Sequence, residues 1–361
     1  MHISELDTPA IVIDLDIMER NLLRMAEYTK KHGLRLRPHT KTHKIPTLGA
    51  RQLALGAVGL TVAKVSEAEV MLESGVEELL IAYPMIGAPK LARAVEVARK
   101  TRLTISVDSL EAAQGIAGAA FTGNVQIGLL VEMDVGLHRV GVTPGSAAVQ
   151  LAQDISHLSG VTFEGLAFYP GHIKDWAAGG PQKMAAMSEA IEETLSGLKA
   201  AGLEARIVSG GSTPTEWHAH IVRGMNEVRP GTYIFNDRNT ILCGACGWED
   251  CAATILTTVV STSVADQFII DGGSKTFSSD KSAEPGCGIV VQAKDALFAR
   301  MNEEHGIVEL KGARDRFQVG DRVNVLPNHI CVAMNLHEQV YGVRGERVER
   351  MWPVAARGKL Q

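Results

Sequence analysis

Over its first two thirds the chain alternates short β-branched runs with longer amphipathic segments. No other feature restricts its fold as much. The strand-like runs are Ala10–Asp14, Leu34–Pro38, Gly59–Val62, Glu78–Tyr83, Leu103–Asp108, Val125–Glu132, Phe163–Tyr169 and Ile207–Ser209. Between them lie Asp16–Lys31, Ser66–Ser74, Pro89–Lys100, Leu110–Ala120, Ala147–His157 and Gln182–Ala201, with apolar residues at helical i, i+3, i+4 spacing. Eight strands alternating with helices predict an α/β fold, a (β/α)8 TIM-type barrel. An open doubly wound sheet would carry a Gly-x-Gly-x-x-Gly turn after its first strand. Here Leu15-Asp16 follows Asp14 directly.

Beyond Glu249 the pattern changes. Ile255–Val264, Phe268–Asp271, Gly288–Lys294, Gly306–Lys311, Arg322–Leu326 and Gln339–Arg344 are strand-like, punctuated by Gly and Asp. They predict a C-terminal all-β domain, so the expected division is a barrel over residues 1–248 and a β domain over 249–361. The length of 361 residues suits two domains. A net charge of −5 leaves no basic footprint for nucleic acid or an anionic membrane. No apolar run is long enough to span a bilayer, and the N-terminus lacks the pattern of a signal peptide. Five cysteines, sparse and odd in number, fit a reduced compartment, so the expected location is the cytoplasm.

Three clusters carry chemistry. Arg37-Pro38-His39-Thr40-Lys41-Thr42-His43-Lys44 sits at the C-terminal end of the second expected strand, the catalytic face of a barrel. Crowded cations there favour a neutral, nucleophilic lysine able to form a Schiff base with an aldehyde; a solvated basic loop is the plainer alternative. Ser209-Gly210-Gly211-Ser212-Thr213-Pro214 follows the last expected barrel strand. Its small residues allow backbone N–H groups to close on a phosphate, as barrels often do near strands 7 and 8, although Gly-rich turns are common. Together the two clusters suggest pyridoxal 5′-phosphate. In Pro327-Asn328-His329-Ile330-Cys331, His329 and Cys331 point to one side if the chain is extended. Imidazole and thiolate suit a divalent ion, with a buried structural cysteine as the alternative. Cys243, Cys246 and Cys251 lack a fourth partner and read as loop thiols rather than a zinc site.

The motifs extend along nearly the whole chain. They include Asp7-Thr8-Pro9, Arg37–Lys41, Lys64-Val65-Ser66-Glu67-Ala68, Val131–Gly136 leading to Arg139-Val140-Gly141, Ser209–Pro214, Arg229-Pro230-Gly231-Thr232-Tyr233, Asp271-Gly272-Gly273, Glu304-His305-Gly306 and Pro327–Cys331. In this order they resemble the D-threonine aldolase and D-serine dehydratase family, fold-type III pyridoxal-phosphate enzymes related to alanine racemase.

The resemblance implies that Lys41 forms the Schiff base with the cofactor. It places Arg139 near the cofactor O3′, with His39 and Tyr169 in the cofactor site, and puts the phosphate on Ser209, Gly210, Gly211, Ser212, Thr213 and Tyr233. His329 and Cys331 would hold a divalent metal (Mn, Mg or Zn) beside the substrate's β-hydroxyl, with His172 as a further catalytic residue. The implied substrate is a small β-hydroxy-D-amino acid and the implied assembly a homodimer. His329-x-Cys331 is similar to the dehydratases. Asn335-Leu336-His337-Glu338, Ala355-Ala356-Arg357-Gly358 and Arg51–Ala57 are closer to the aldolases, and the histidine of Phe168-Tyr169-Pro170-Gly171-His172 falls differently from both. The expected reaction is aldol cleavage, with dehydration as the alternative and racemisation third.

Overall fold

The computed structural model describes residues 1–310 and 317–361 and separates into two compact units. One comprises Arg24–Lys41, Pro46–Gly231 and Lys359–Gln361; the other comprises Met1–Leu23, Thr42–Ile45 and Thr232–Gly358.

The first unit holds eight parallel strands: β2 (Arg35–Leu36), β3 (Leu60–Val62), β4 (Glu78–Ile81), β5 (Arg102–Val107), β6 (Ile127–Met133), β7 (Val161–Phe168), β8 (Ile207–Gly210) and β9 (Glu227–Val228). They pair in the order β2-β9-β8-β7-β6-β5-β4-β3. A bridge between His39 and Thr61, with Val58 N–H donating to Leu36 O at 2.8 Å and Thr61 N–H to Pro38 O at 2.9 Å, joins the two ends of that order. The sheet thereby closes as a TIM-type barrel. Leu80 of β4, Leu130 of β6, Ala167 of β7 and Ile207 of β8 pack into one buried cluster, the near-continuous apolar character expected of strands covered on both faces.

The second unit is built on a nine-stranded sheet of β1 (Ala10–Asp14), β10 (Ala253–Ser261), β11 (Gln267–Ile270), β12 (Gly288–Val290), β13 (Leu297–Met301), β14 (Gly306–Glu309), β15 (Arg322–Pro327), β16 (Gln339–Arg344) and β17 (Arg347–Pro353). All its pairings are antiparallel except β1 with β16. Its core includes Leu6, Val12, Leu256 and Val343.

Two strand assignments change. Ala10–Asp14, read as the first barrel strand, lies in the β-rich unit between β10 and β16. Its alternation of apolar residues is the same in either setting, so periodicity cannot assign it. The missing barrel strand is β9, only two residues long and too short to show a period. The cut expected at 248/249 follows the sequence, whereas the compact units interleave along the chain. Lys311, the end of the expected strand Gly306–Lys311, lies outside the described residues.

Candidate functional site

Within the barrel unit, His39, Lys41, Tyr83, Ser106, Glu132, Arg139, Tyr169 and Arg229 are among the residues lining a cavity of about 360 Å³. Lys41 belongs to a single 3-10 turn, Thr40–Thr42, directly after the β2 segment, and its N–H donates to His39 Nδ1 at 3.3 Å. The cationic cluster divides sharply. Arg37 turns inward, 2% exposed, with Nε 3.0 Å from Glu227 Oε2 and Nη2 2.8 Å from Glu78 Oε2. Burial pulls its pKa down, but the two carboxylates outweigh burial and the net shift is upward. Lys44 belongs to the other unit, where Nζ donates to Ala356 O at 3.3 Å. Of the two lysines in the cluster, Lys41 alone lines the cavity.

Arg139 rides on a loop shaped by backbone bonds to carboxylates. Asp134 Oδ1 accepts from Gly136 N–H at 2.9 Å and His138 N–H at 3.0 Å, and Asp108 Oδ2 accepts from Gly141 N–H at 3.0 Å. The Arg139 guanidinium stacks over the Tyr169 ring at 4.8 Å, a cation–π contact. Two further residues in this cavity received no role from the sequence. Glu132 is 6% exposed, and burial raises its carboxyl pKa against the pull of Arg229 and Arg139. Arg229 is equally buried. Burial lowers its pKa while Glu132 and Glu227 oppose the shift. Its Nη2 donates to Phe168 O at 3.0 Å, and Nη1 has no partner among the described residues. A buried donor without a partner costs about 1–3 kcal/mol, so this cavity is built for an acceptor. The signal for Glu132 is a charge inside an apolar strand, Val131-Glu132-Met133. Arg229 follows the strand too short to be read.

Ser209 and Gly210 end β8 and Gly211–Thr213 follow it, and none of them is among the residues lining that cavity. Ser209 spends its hydroxyl on Glu227 Oε1 at 2.7 Å. Gly210 cannot be larger, because a Cβ there would lie 2.1 Å from the Phe168 ring. Ser212 precedes the 3-10 helix Thr213–Ile221, and its carbonyl accepts from Thr215 N–H at 3.1 Å. Tyr233 belongs to the other unit, where it is buried. His172 follows β7 and packs on Gly136, whose φ of +123° and lack of a side chain leave room for the imidazole. Burial lowers its pKa, and its Nδ1 is buried without a partner among the described residues.

In the β-rich unit, β15 ends at Pro327, one residue short of the expected metal motif. His329 is extended, while Cys331 is the second residue of the helix Ile330–Leu336. The pair therefore spans a strand-to-helix junction and not a strand. Asp237, fully buried, accepts from His329 Nδ1 at 2.8 Å and from Ile330 N–H at 3.1 Å through one oxygen, Oδ2. The bond fixes the imidazole through Nδ1, the carboxylate–histidine arrangement that orients metal ligands, and the ring also hydrogen-bonds Cys331. Cys331 Sγ donates to Thr42 Oγ1 at 3.2 Å. The Cys331 charge, with that of Asp237, pushes the His329 pKa up to about 12 against burial. Among the described residues no cluster of three or more metal-ligating side chains occurs. An ion taken up by these two donors would leave most of its coordination sphere to water or substrate.

Residues 13–239 match the family model of the alanine racemase N-terminal domain, and residues 252–343 that of the putative serine dehydratase domain. A 3-hydroxy-D-aspartate aldolase from Paracoccus denitrificans (strain Pd 1222) is 32% identical over 371 aligned residues, covering 99% of this chain and 94% of its own length. The crystal structure of a D-threonine aldolase from Filomicrobium marinum superposes with a TM-score of 0.94 at 31% identity, over 99% of this chain and 98% of that one. The D-threo-3-hydroxyaspartate dehydratase of Delftia sp. HT23 gives a TM-score of 0.88 at 32% identity, over 98% of each chain. A D-threo-3-hydroxyaspartate dehydratase has also been solved in a metal-free form with a cysteine changed to alanine, and with a histidine two positions earlier changed to alanine.

Proposed function

The chain belongs to the family of the alanine racemase N-terminal domain, and from that premise we propose a lyase for β-hydroxy-D-amino acids that uses pyridoxal phosphate and a divalent metal. The observation that carries the reading is the His329–Cys331 pair braced by Asp237. A racemase exchanges only the proton on Cα and gains nothing from an ion at the β-position.

The barrel cavity fits the cofactor: it offers one lysine, a buried guanidinium with an unmet donor and a stacked arginine–tyrosine pair. Lys41 would hold the aldehyde carbon, Arg229 Nη1 would donate to an acceptor on the ring, and Arg139 would stay by the cavity against Tyr169. The backbone of Gly210–Thr213 would bind the phosphate, since the Ser209 hydroxyl is already committed. Pyridoxal phosphate, when bound, draws electrons from the substrate's Cα. His329 and Cys331 would hold the ion, which would lower the pKa of the β-hydroxyl. His172, held neutral by burial, is the candidate to take the β-hydroxyl proton.

In aldol cleavage the β-oxygen loses its proton, the Cα–Cβ bond breaks, and Cα is protonated, giving glycine and an aldehyde. D-Threonine is the proposed substrate. The solved dehydratase variants favour a second reading, because their altered histidine and cysteine are two positions apart, as His329 and Cys331 are. There Cα loses its proton and Cβ its hydroxyl, and hydrolysis gives a 2-oxo acid and ammonia. A homodimer in the cytoplasm completes the proposal; among the described residues no helix is long and apolar enough to cross a membrane.

Incubation with D-threonine, assayed both for acetaldehyde plus glycine and for 2-oxobutanoate plus ammonia, separates the two reactions. Equal turnover of D- and L-threonine with no lyase product would reject both.

A further inference from the structure

The loop between the helix Arg238–Leu242 and β10 takes no part in the function proposed above. Asp237 caps that helix: Oδ1 accepts Thr240 N–H at 2.9 Å, and Thr240 Oγ1 donates to Asp237 O at 2.7 Å. Two cysteines rest on this cap. Cys246 Sγ donates to Thr240 Oγ1 at 3.4 Å, and Cys251 Sγ donates to Asp237 O at 3.9 Å. The two thiols also hydrogen-bond each other. Both are free and partly exposed. Cys251 lines a cavity of about 300 Å³ with Val12, Trp248, Asn324 and Leu326, which gives a small solute access and the side chain room to turn.

We propose that Cys246 and Cys251 form a reversible oxidation site, a dithiol that a hydroperoxide converts to a disulfide, and that the disulfide loosens the hold of Asp237 on His329. The second half rests on the metal reading of His329 and Cys331; the first does not.

The hydrogen bond from Cys251 lowers the Cys246 pKa, while the same bond and then burial raise that of Cys251. Cys246 is therefore the sulfur that ionises and attacks. Its thiolate breaks the peroxide O–O bond, giving a sulfenic acid and hydroxide, which takes up a proton to become water. The Cys251 sulfur then attacks Cys246, the S–O bond breaks, and a second water leaves. In total, two thiols and one hydrogen peroxide give one disulfide and two waters; sulfur is oxidised and peroxide reduced. An S–S bond of about 2.05 Å leaves neither cysteine a proton to donate to the cap. The capping residue is the same Asp237 whose Oδ2 accepts from His329 Nδ1 and Ile330 N–H.

The test uses the full chain, freed of metal and treated with hydrogen peroxide, with remaining thiols blocked and the disulfide located by peptide mapping. Mn2+ affinity is measured before oxidation, after it, and after reduction with dithiothreitol. The expected map joins Cys246 to Cys251 with Cys331 still reduced, and Mn2+ affinity falls about tenfold and returns on reduction. Cys246→Ser and Cys251→Ser should keep their affinity through the same treatment. A map without that disulfide overturns the oxidation site. The disulfide with unchanged Mn2+ affinity overturns the coupling to His329. A full loss of affinity in oxidised Cys246→Ser places the effect on Cys331 and overturns it equally. If the untreated protein binds no Mn2+, the metal reading fails while the map still decides the oxidation site.

Discussion

At the barrel cavity a buried guanidinium keeps a donor that no described residue meets, whereas at His329 and Cys331 the protein supplies a brace and two side-chain donors. Arg229 is buried with one donor unmet, and Glu132 is buried with its pKa raised. Such a cavity is preorganised for a ligand that brings acceptors. In the β-rich unit a single oxygen of Asp237 fixes both the His329 ring and the first N–H of the following helix, and among the described residues no group of three metal-ligating side chains forms there. An ion held there, as proposed, would keep most of its coordination sphere open.

The difference predicts how each region fails. Lys41→Ala should lower turnover by about 10⁴-fold or more and abolish the visible absorbance of the bound cofactor, while Mn2+ affinity stays at the wild-type value. Peptide mapping after borohydride reduction should label Lys41. A label on Lys44, whose amine bonds the Ala356 carbonyl, would break the assignment.

Removing metal should be less severe. A Lewis acid at the β-oxygen contributes several kcal/mol, or about 10³-fold. Exhaustive chelation or His329→Ala should cost about that much and leave the cofactor absorbance intact. Full activity in chelated protein shown to be metal-free by elemental analysis would return Cys331 to a structural role and reopen racemisation.

The same contrast explains how much was legible in the sequence. Lys41 could be read because five cationic side chains crowd one strand end, although only the structure shows Arg37 and Lys44 facing elsewhere. Seven of the eight barrel strands follow from apolar runs. The eighth, Glu227–Val228, is two residues long, and with it Arg229 went without a role. Ala10–Asp14 has the right pattern for a strand and the wrong partners, because partner choice depends on residues 240 or more positions away in β10. His329 and Cys331 were visible as a pair. Asp237, which braces them, lies 92 positions earlier, and no local pattern announces it.

Asp237→Asn tests that brace at intermediate magnitude. The amide keeps the size of the carboxylate but loses its charge, and outer-shell changes of this kind cost about 10–100-fold in metal affinity. Mn2+ titration should show that loss with cofactor absorbance unchanged. If the variant bound Mn2+ normally, Asp237 would be a helix cap and nothing more.

The smallest effect concerns acid stability, and it sharpens the contrast between the units. In the barrel unit burial lowers the pKa of His172, His218 and His220, aided by Lys183 at His172 and by neighbouring histidines at the other two. In the β-rich unit burial, with Arg357, lowers that of His337, although its ring N–H bonds Thr276 O at 3.2 Å. A histidine depressed on folding binds fewer protons than it does unfolded. Its contribution is therefore complete above the unfolded value of about 6.5 and is lost as pH falls from there through the folded value. Three such groups in one unit against one in the other predict that acidification from neutrality loosens the barrel first. The barrel histidines are partly exposed, so screening keeps each effect small. Hydrogen exchange, corrected for intrinsic rates, should show protection in β6–β8 falling by a larger factor than in β10 and β15 between pH 7 and about pH 5. His172→Gln should recover part of the barrel's loss and none of the other unit's. An equal fall in both units would mean that the two unfold as one and that these histidines do not decide which opens first.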